Sequence, residues 1–186
     1  MAIEGDSNEY DLLAKWAKDF DCQGYKTCEI GVRKGLGSKT IMDNCKNYFM
    51  HVGIDPYGDL VYQHFDQDAR GPVRYNYDDK MRDELLKDMT PYQSKFHLAN
   101  MKDKEFFNDP NHANSSYAFV HFDGPHMTRD VMTQAIWFAN RAPNHTRFVF
   151  DDYTKYGMDQ VAFSLTYFDF KTIEAGEDKI CLEKKI

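Results

Sequence analysis

The sequence predicts an α/β protein: a mostly parallel sheet of seven strands, covered by helices on both faces and ending in an antiparallel hairpin. Three observations predict it. Apolar runs rich in β-branched and aromatic residues alternate with stretches of helical period between Tyr25 and Phe168. Several runs close abruptly on carboxylates, most clearly Phe148-Val149-Phe150-Asp151-Asp152-Tyr153 and Phe122-Asp123-Gly124-Pro125-His126. Buried strands that deliver charge to the rim of an open sheet, where ligands bind, have this pattern. The tail carries two short strand patterns joined only through Ala175-Gly176-Glu177-Asp178, a connection too short for a crossover.

Tyr10, Leu13, Trp16, Ala17 and Phe20 recur at helical spacing, with Asp6 and Glu9 placed to cap the start. Trp16 faces the core on this reading, the alternative being a stacking platform for a ligand. Tyr25–Ile30 is the first strand, and it runs into Gly31-Val32-Arg33-Lys34-Gly35-Leu36-Gly37-Ser38. Ile41, Met42, Cys45 and Phe49 then mark a helix, so strand, glycine loop and helix open a βαβ unit. Glycines let such a loop turn tightly and approach a ligand, or they serve a plain turn. The spacing is neither G-x-G-x-x-G nor G-x-x-x-x-G-K-[ST], which disfavours dinucleotide and triphosphate cradles.

Met50–Ile54 is the second strand and stops at Asp55. An acid there either hydrogen-bonds the ribose of a bound nucleoside or starts the turn before Pro56 and Gly58. Residues 57–79 mix charges and aromatics with no clean period, an excursion that is either a substrate lid or a solvated loop. A helix is predicted over Lys80–Met89, a third strand over Lys95–Leu98 and a brief helix over Lys102–Asn108. Asn100 and Met101, at the third strand's end, are placed beside the base of a bound nucleoside. Tyr117–Phe122 is the fourth strand. Met127–Arg141 is a helix with Val131, Ala135, Ile136, Phe138 and Ala139 as its buried face. Phe148–Phe150, a helix over Met158–Phe168, and the strands Phe170–Ile173 and Lys179–Glu183 complete the chain.

A chain of 186 residues fills one core, so a single domain over residues 1–186 is expected. The hydrophobic fraction of 42% and aromatic fraction of 15% exceed those of a disordered chain. A formal charge of -7 opposes binding along a phosphate backbone, so the expected partner is a small molecule and not a nucleic acid. Cys22, Cys28, Cys45 and Cys181 show no C-x-x-C pair, which leaves free buried thiols. The first twenty residues hold no apolar block, and no run approaches the roughly 18 apolar residues of a membrane span. A cytoplasmic, membrane-free location is therefore expected, and a homo-oligomer is compatible with the sequence.

Taken in order, Glu29-Ile30-Gly31-x-x-x-Gly35-x-x-Ser38, Ile54-Asp55-Pro56, Phe122-Asp123-Gly124-x-His126 and Phe150-Asp151-Asp152-Tyr153 resemble class I S-adenosylmethionine-dependent methyltransferases. Within that family the likeness is to the small metal-dependent branch of macrocin-like and aminocoumarin-like sugar O-methyltransferases, over about residues 25–155. The resemblance implies a Rossmann-like sheet. It implies that Glu29, Gly31, Gly35 and Ser38 line the methionine end of the cofactor, that Asp55 holds its ribose, and that Asn100, Met101 and Asp123 complete its site. It also implies that Asp123, Asp151 and Asp152 bind a divalent cation, usually magnesium. Three carboxylates meeting at one point would repel one another unless a hard cation took their oxygens.

The chemistry expected is transfer of a methyl group to the hydroxyl of a small molecule, sugar or catechol-like. His126 would act as base beside Asp123, since an imidazole titrates near neutral pH. Several members of the branch carry an acid where this chain has Pro125, so the base role falls to His126 or to water. Bland readings stand beside these: Asp123 and Asp151 as caps or turn formers, and His126 as a structural histidine. His51, His64, His97, His121 and His145 lack metal-ligand spacing and are expected to be ordinary. Two other functions remain open, a cofactor-binding protein without catalysis and a metal-independent N- or C-methyltransferase.

Overall fold

The computed structural model describes residues 7–185. Helix α1 (Tyr10–Ala17) precedes strand β1 (Lys26–Ile30), α2 (Leu36–Asn44) and β2 (His51–Ile54). Strands β3 (Gly58–Tyr62) and β4 (Val73–Tyr77) lead to α3 (Asp79–Asp88) and β5 (Phe96–Ala99). Then come α4 (Asp103–Asn108), α5 (Pro110–Ala113), β6 (Tyr117–Phe122), α6 (Thr128–Ala139) and β7 (Arg147–Phe150). Helix α7 (Asp159–Ser164), continued by a 3-10 turn over Leu165–Phe168, precedes β8 (Phe170–Ala175) and β9 (Ile180–Lys184).

Seven strands form one sheet in the order β5-β2-β1-β6-β7-β9-β8, parallel from β5 to β7 and antiparallel at β9 and β8. This is the Rossmann-like arrangement with a C-terminal hairpin that the sequence suggests. The chain winds outward from β1 through β2 to β5, then returns to lay β6 on the other side of β1. That reversal opens a crevice at the C-terminal ends of β1 and β6.

Residues alternate between two apolar layers, as strands buried on both faces require. Ile30, Val120, Phe122, Phe148 and Phe150 pack with Val131, Ala135 and Phe138 on one face. Phe119 and Val149 join Leu13, Trp16, Phe20, Ile41 and Met42 on the other. Trp16 is buried, as the core reading expects, and its indole N–H donates to Glu174 Oε2 at 2.8 Å. All four cysteines are free and buried. Among the described residues no helix is long and apolar enough to cross a membrane.

Three expectations are corrected. Residues 57–79 are not an irregular excursion: β3 and β4 form a separate antiparallel ribbon, with Tyr62 stacked on Tyr75 at 4.4 Å. Its alternation of half-buried and exposed positions is hidden in the sequence because Val61 faces solvent while Tyr62, Tyr75 and Tyr77 supply the inner face. Helix α2 ends at Asn44 and leaves Phe49 exposed, and Ile136 lies at the outer edge of α6, where Gln134 is buried instead, donating to Asp103 Oδ2 at 2.9 Å.

The expected cap of α1 differs too. Asp6 lies outside the described residues, and Glu9 turns away from its own helix to accept backbone N–H groups from Glu177, Asp178 and Lys179 at 2.8, 2.9 and 2.8 Å. Burial alone would raise the Glu9 carboxyl pKa, but these N–H groups and the Lys179 charge bring it net below the ordinary value. A folded-state pKa depressed in this way adds stability above the unfolded value, about 4.3, which is lost as pH falls through the folded value. Glu9→Ala is therefore expected to cost about 1–2 kcal/mol at pH 7 in urea unfolding. The deficit should shrink toward pH 3.

Candidate active site

Backbone hydrogen bonds set the site residues along one rim. Each strand's first loop N–H donates to the last carbonyl of its neighbour: Gly31 to Ile54 at 3.0 Å, Asp55 to Ala99 at 3.2 Å, Asp123 to Ile30 at 2.9 Å and Asp151 to Phe122 at 3.0 Å. Four segments far apart in sequence thus end level with one another, around a cavity of about 800 Å³. Gly31, Asp55, Asp123, His126, Asp151 and Asp152 line it. That volume falls in the range of small-molecule and cofactor pockets.

Gly31 has φ +84°, and a Cβ there would lie 2.6 Å from the Asp123 carbonyl carbon and 2.8 Å from Gly124 Cα. No other residue type fits. Asp55 is buried, and its carboxylate accepts the Arg33 N–H at 2.9 Å and the Tyr57 N–H at 3.2 Å. Burial, opposed by these N–H groups, raises its pKa. Tyr57 donates its hydroxyl to the Arg33 carbonyl, so acid and glycine loop are held as one unit.

Glu29 and Ser38 are not on the cavity wall but lie beneath it, in a fully buried polar chain. Ser38 donates to Glu29 Oε2 at 2.5 Å, and His121 Nδ1 lies 2.8 Å from Glu29 Oε1. On the far side His51 Nε2 contacts Ser38 at 2.9 Å and His51 Nδ1 contacts Thr27 at 2.8 Å. Register explains the chain, since Thr27 opposes His51 across β1 and β2 while Glu29 opposes His121 across β1 and β6. Burial lowers the His51 pKa to about 3, leaving a neutral ring. With the Ser38 proton on Glu29, His51 must donate from Nε2 and accept at Nδ1 from Thr27. The other predicted cofactor residues, Gly35, Asn100 and Met101, are not among those lining the cavity, and Asn100 is exposed. Gly35 packs against Leu85 and Met89 of the α3 segment, Met101 packs on the core, and the Asn100 amide donates to the carbonyls of Asp55 at 3.2 Å and Pro56 at 3.3 Å.

The acidic cluster departs from its expected wiring. Asp151 is ion-paired with Lys179, a fully buried cation that also donates to Ser7 at 2.6 Å. Against the cost of burial, a hydrogen bond from Asp123 and the Lys179 charge hold the Asp151 carboxyl below the usual range. Desolvation and the adjoining Asp151 charge push the Asp123 carboxyl well above the ordinary aspartate value. Asp152 has φ +49°, a left-handed conformation that aspartate adopts more readily than most residues, and burial, then Asp151, raises its pKa.

Among the described residues two sets of three ligand atoms lie within 4.8 Å of one another: His64 with His126 and Asp152, and Glu29 with His121 and Asp123. Asp151 belongs to neither. Of the three aspartates expected to share a magnesium ion, Asp123 falls in one cluster, Asp152 in the other and Asp151 in neither, and the charge that compensates Asp151 comes from Lys179. They do not fit a single all-carboxylate cation site. His126 is 4% exposed with neither ring nitrogen bonded to protein, a loss of roughly 1–3 kcal/mol for each buried polar group unless a ligand meets it. Burial, then His64, lowers its pKa to about 3. His64 and Lys179 are the site residues that the sequence reading missed. Lys179 stands just after Ala175-Gly176-Glu177-Asp178, and only the antiparallel pairing of that hairpin hints at its return to the rim.

No family model and no curated protein matches the chain. Its fold has relatives among solved structures. A structural-genomics protein from Corynebacterium glutamicum aligns with a TM-score of 0.67 at 13% identity, over 98% of this chain and 83% of its own. Precorrin-6y C5,15-methyltransferase from Geobacter metallireducens GS-15 aligns at 0.64 and 8% identity, over 99% and 91%. The N-methyltransferase NodS from Bradyrhizobium japonicum WM9 aligns at 0.58 and 14%, over 96% and 93%. At these identities the likeness is one of fold.

Proposed function

We propose that this chain is an enzyme that transfers a methyl group from S-adenosylmethionine to a hydroxyl of a small molecule. The observation that carries the reading is the cradle at Gly31, where a Cβ would overlap the end of β6, at the same rim as the buried carboxylate of Asp55. Backbone free of a side chain beside an acid at the next strand end suits a nucleoside cofactor, with Asp55 toward the ribose hydroxyls. The fold shared with proteins named as methyltransferases supports it.

When bound, the cofactor supplies an electrophilic sulfonium methyl. The chain's own residues do the rest by placement. Asp55 and the Gly31 loop would anchor the cofactor at the rim, and Asp123, His64 and His126 line the same cavity. His126 offers an unpartnered ring nitrogen to the acceptor hydroxyl. Tyr156 stacks on Phe65 at 4.7 Å and leans over His126 at 4.9 Å, an aromatic wall suited to the flat face of a sugar or a catechol.

Calorimetry with S-adenosylmethionine tests the cofactor assignment, and absence of binding would sink it. Asp55→Asn is expected to weaken binding about 10–100-fold, the loss of a charged hydrogen bond. Transfer of labelled methyl to a panel of hydroxyl compounds separates an enzyme from a binding protein.

A further inference from the structure

The cavity wall away from Asp55 carries a second kind of chemistry. His64 follows β3, His126 lies in the loop after β6, and Asp152 follows β7. One ligand atom from each lies within 4.8 Å of the others. Both histidine segments are fixed by backbone, because the His126 N–H donates to the His64 carbonyl at 2.6 Å and Phe65 forms a parallel bridge with His126. The two rings stand 5.3 Å apart at 73°. His126 is almost wholly buried, lines the cavity, and has neither ring nitrogen engaged by protein. The only cation paired with Asp152 among the described residues is Lys155, at 3.6 Å and largely solvent-exposed, so it is a weak competitor for the carboxylate.

We propose that His64, His126 and Asp152 form a binding site for a divalent transition-metal ion of the zinc or cobalt class, in place of a magnesium site built from the three aspartates. Imidazole nitrogens suit such ions, whereas magnesium takes oxygen ligands in near-ideal octahedra. Two nitrogens and one carboxylate leave coordination positions open toward the cavity, the pattern of a site that admits water or substrate. Closure on an ion with bonds of about 2.0–2.1 Å draws the ligand atoms together by only about 1–1.5 Å. The site stands on this geometry and goes beyond the methyl-transfer reading. With an ion bound, the ring of His126 is a ligand and not a base, and an acceptor oxygen meets the ion directly.

The test is titration of the metal-stripped full chain with Co2+, followed by its visible ligand-field bands. One equivalent is expected to give an intense spectrum typical of nitrogen coordination, displaced by Zn2+ and untouched by excess Mg2+. His64→Ala and His126→Gln are each expected to weaken Co2+ binding at least 10-fold, with circular dichroism melts confirming that both variants fold. Absence of a Co2+ spectrum in the unmodified chain would overturn the proposal. So would Mg2+ binding abolished by Asp123→Asn yet kept in His64→Ala. Calorimetry with S-adenosylmethionine on the metal-free protein reports separately on the cofactor reading.

Discussion

Gly31→Val is expected to abolish S-adenosylmethionine binding, by at least 100-fold in calorimetry, and to lower stability by about 3–5 kcal/mol. Two penalties add. A β-branched residue at φ +84° is strained by itself. Its Cβ would also overlap the Asp123 backbone, so the ends of β1 and β6 must part, losing the Asp123 N–H to Ile30 bond at 2.9 Å and the Gly31 N–H to Ile54 bond at 3.0 Å. Gly124→Ala is the control. Its Cβ would meet the Ile30 side chain at 3.3 Å, a neighbour that can shift by a few tenths of an ångström, so binding should persist. Unchanged affinity in Gly31→Val would mean that the backbone at Gly31 does not hold the cofactor.

The second large effect is expected at Lys179. Lys179→Met leaves Asp151 buried without its cation beside Asp123, and the loss should be about 3–5 kcal/mol in urea unfolding at pH 7. The carboxyl of Asp151 is held below its ordinary value, so its contribution exists above about pH 3.9 and is lost as pH falls through the folded value. The deficit of the variant should therefore narrow in acid. Combining Lys179→Met with Asp151→Asn removes both charges and should recover most of the loss, a coupling that a double-mutant cycle measures. Equal deficits in the single and double variants would mean that Lys179 acts through packing alone.

Much of the scaffold is legible in the sequence. Apolar runs ending on acids mark the ends of β2, β6 and β7, because a buried strand seldom carries an ionisable group without dedicated partners, as Glu29 has in β1. The bounds of β6 were read to the residue. Partners that meet only across register were not legible. Lys179 reaches Asp151 across 28 residues, and His51 and His121 join Ser38 and Glu29 through strand pairing that no local spacing reveals. His64 looked ordinary because metal-ligand spacing is a rule for one helix or loop, whereas His126 and Asp152 reach it from two other strand ends. The β3–β4 ribbon is hidden because residues 63–72 separate its strands, a connection too long to read as a tight hairpin turn.

The Asp151–Lys179 pair also bears on how the chain comes together as it is synthesised. The acid emerges 28 residues ahead of its counter-charge, and β7 emerges before β9, the strand that covers its edge. Until the hairpin arrives, a nascent chain holds a protonated or poorly compensated carboxylate pair at the end of a sheet whose flank is open to other strands. Docking of β9 closes that flank and delivers the lysine in the same movement. The sheet and the charge balance of its rim are completed together, and an intermediate arrested before the hairpin would have neither.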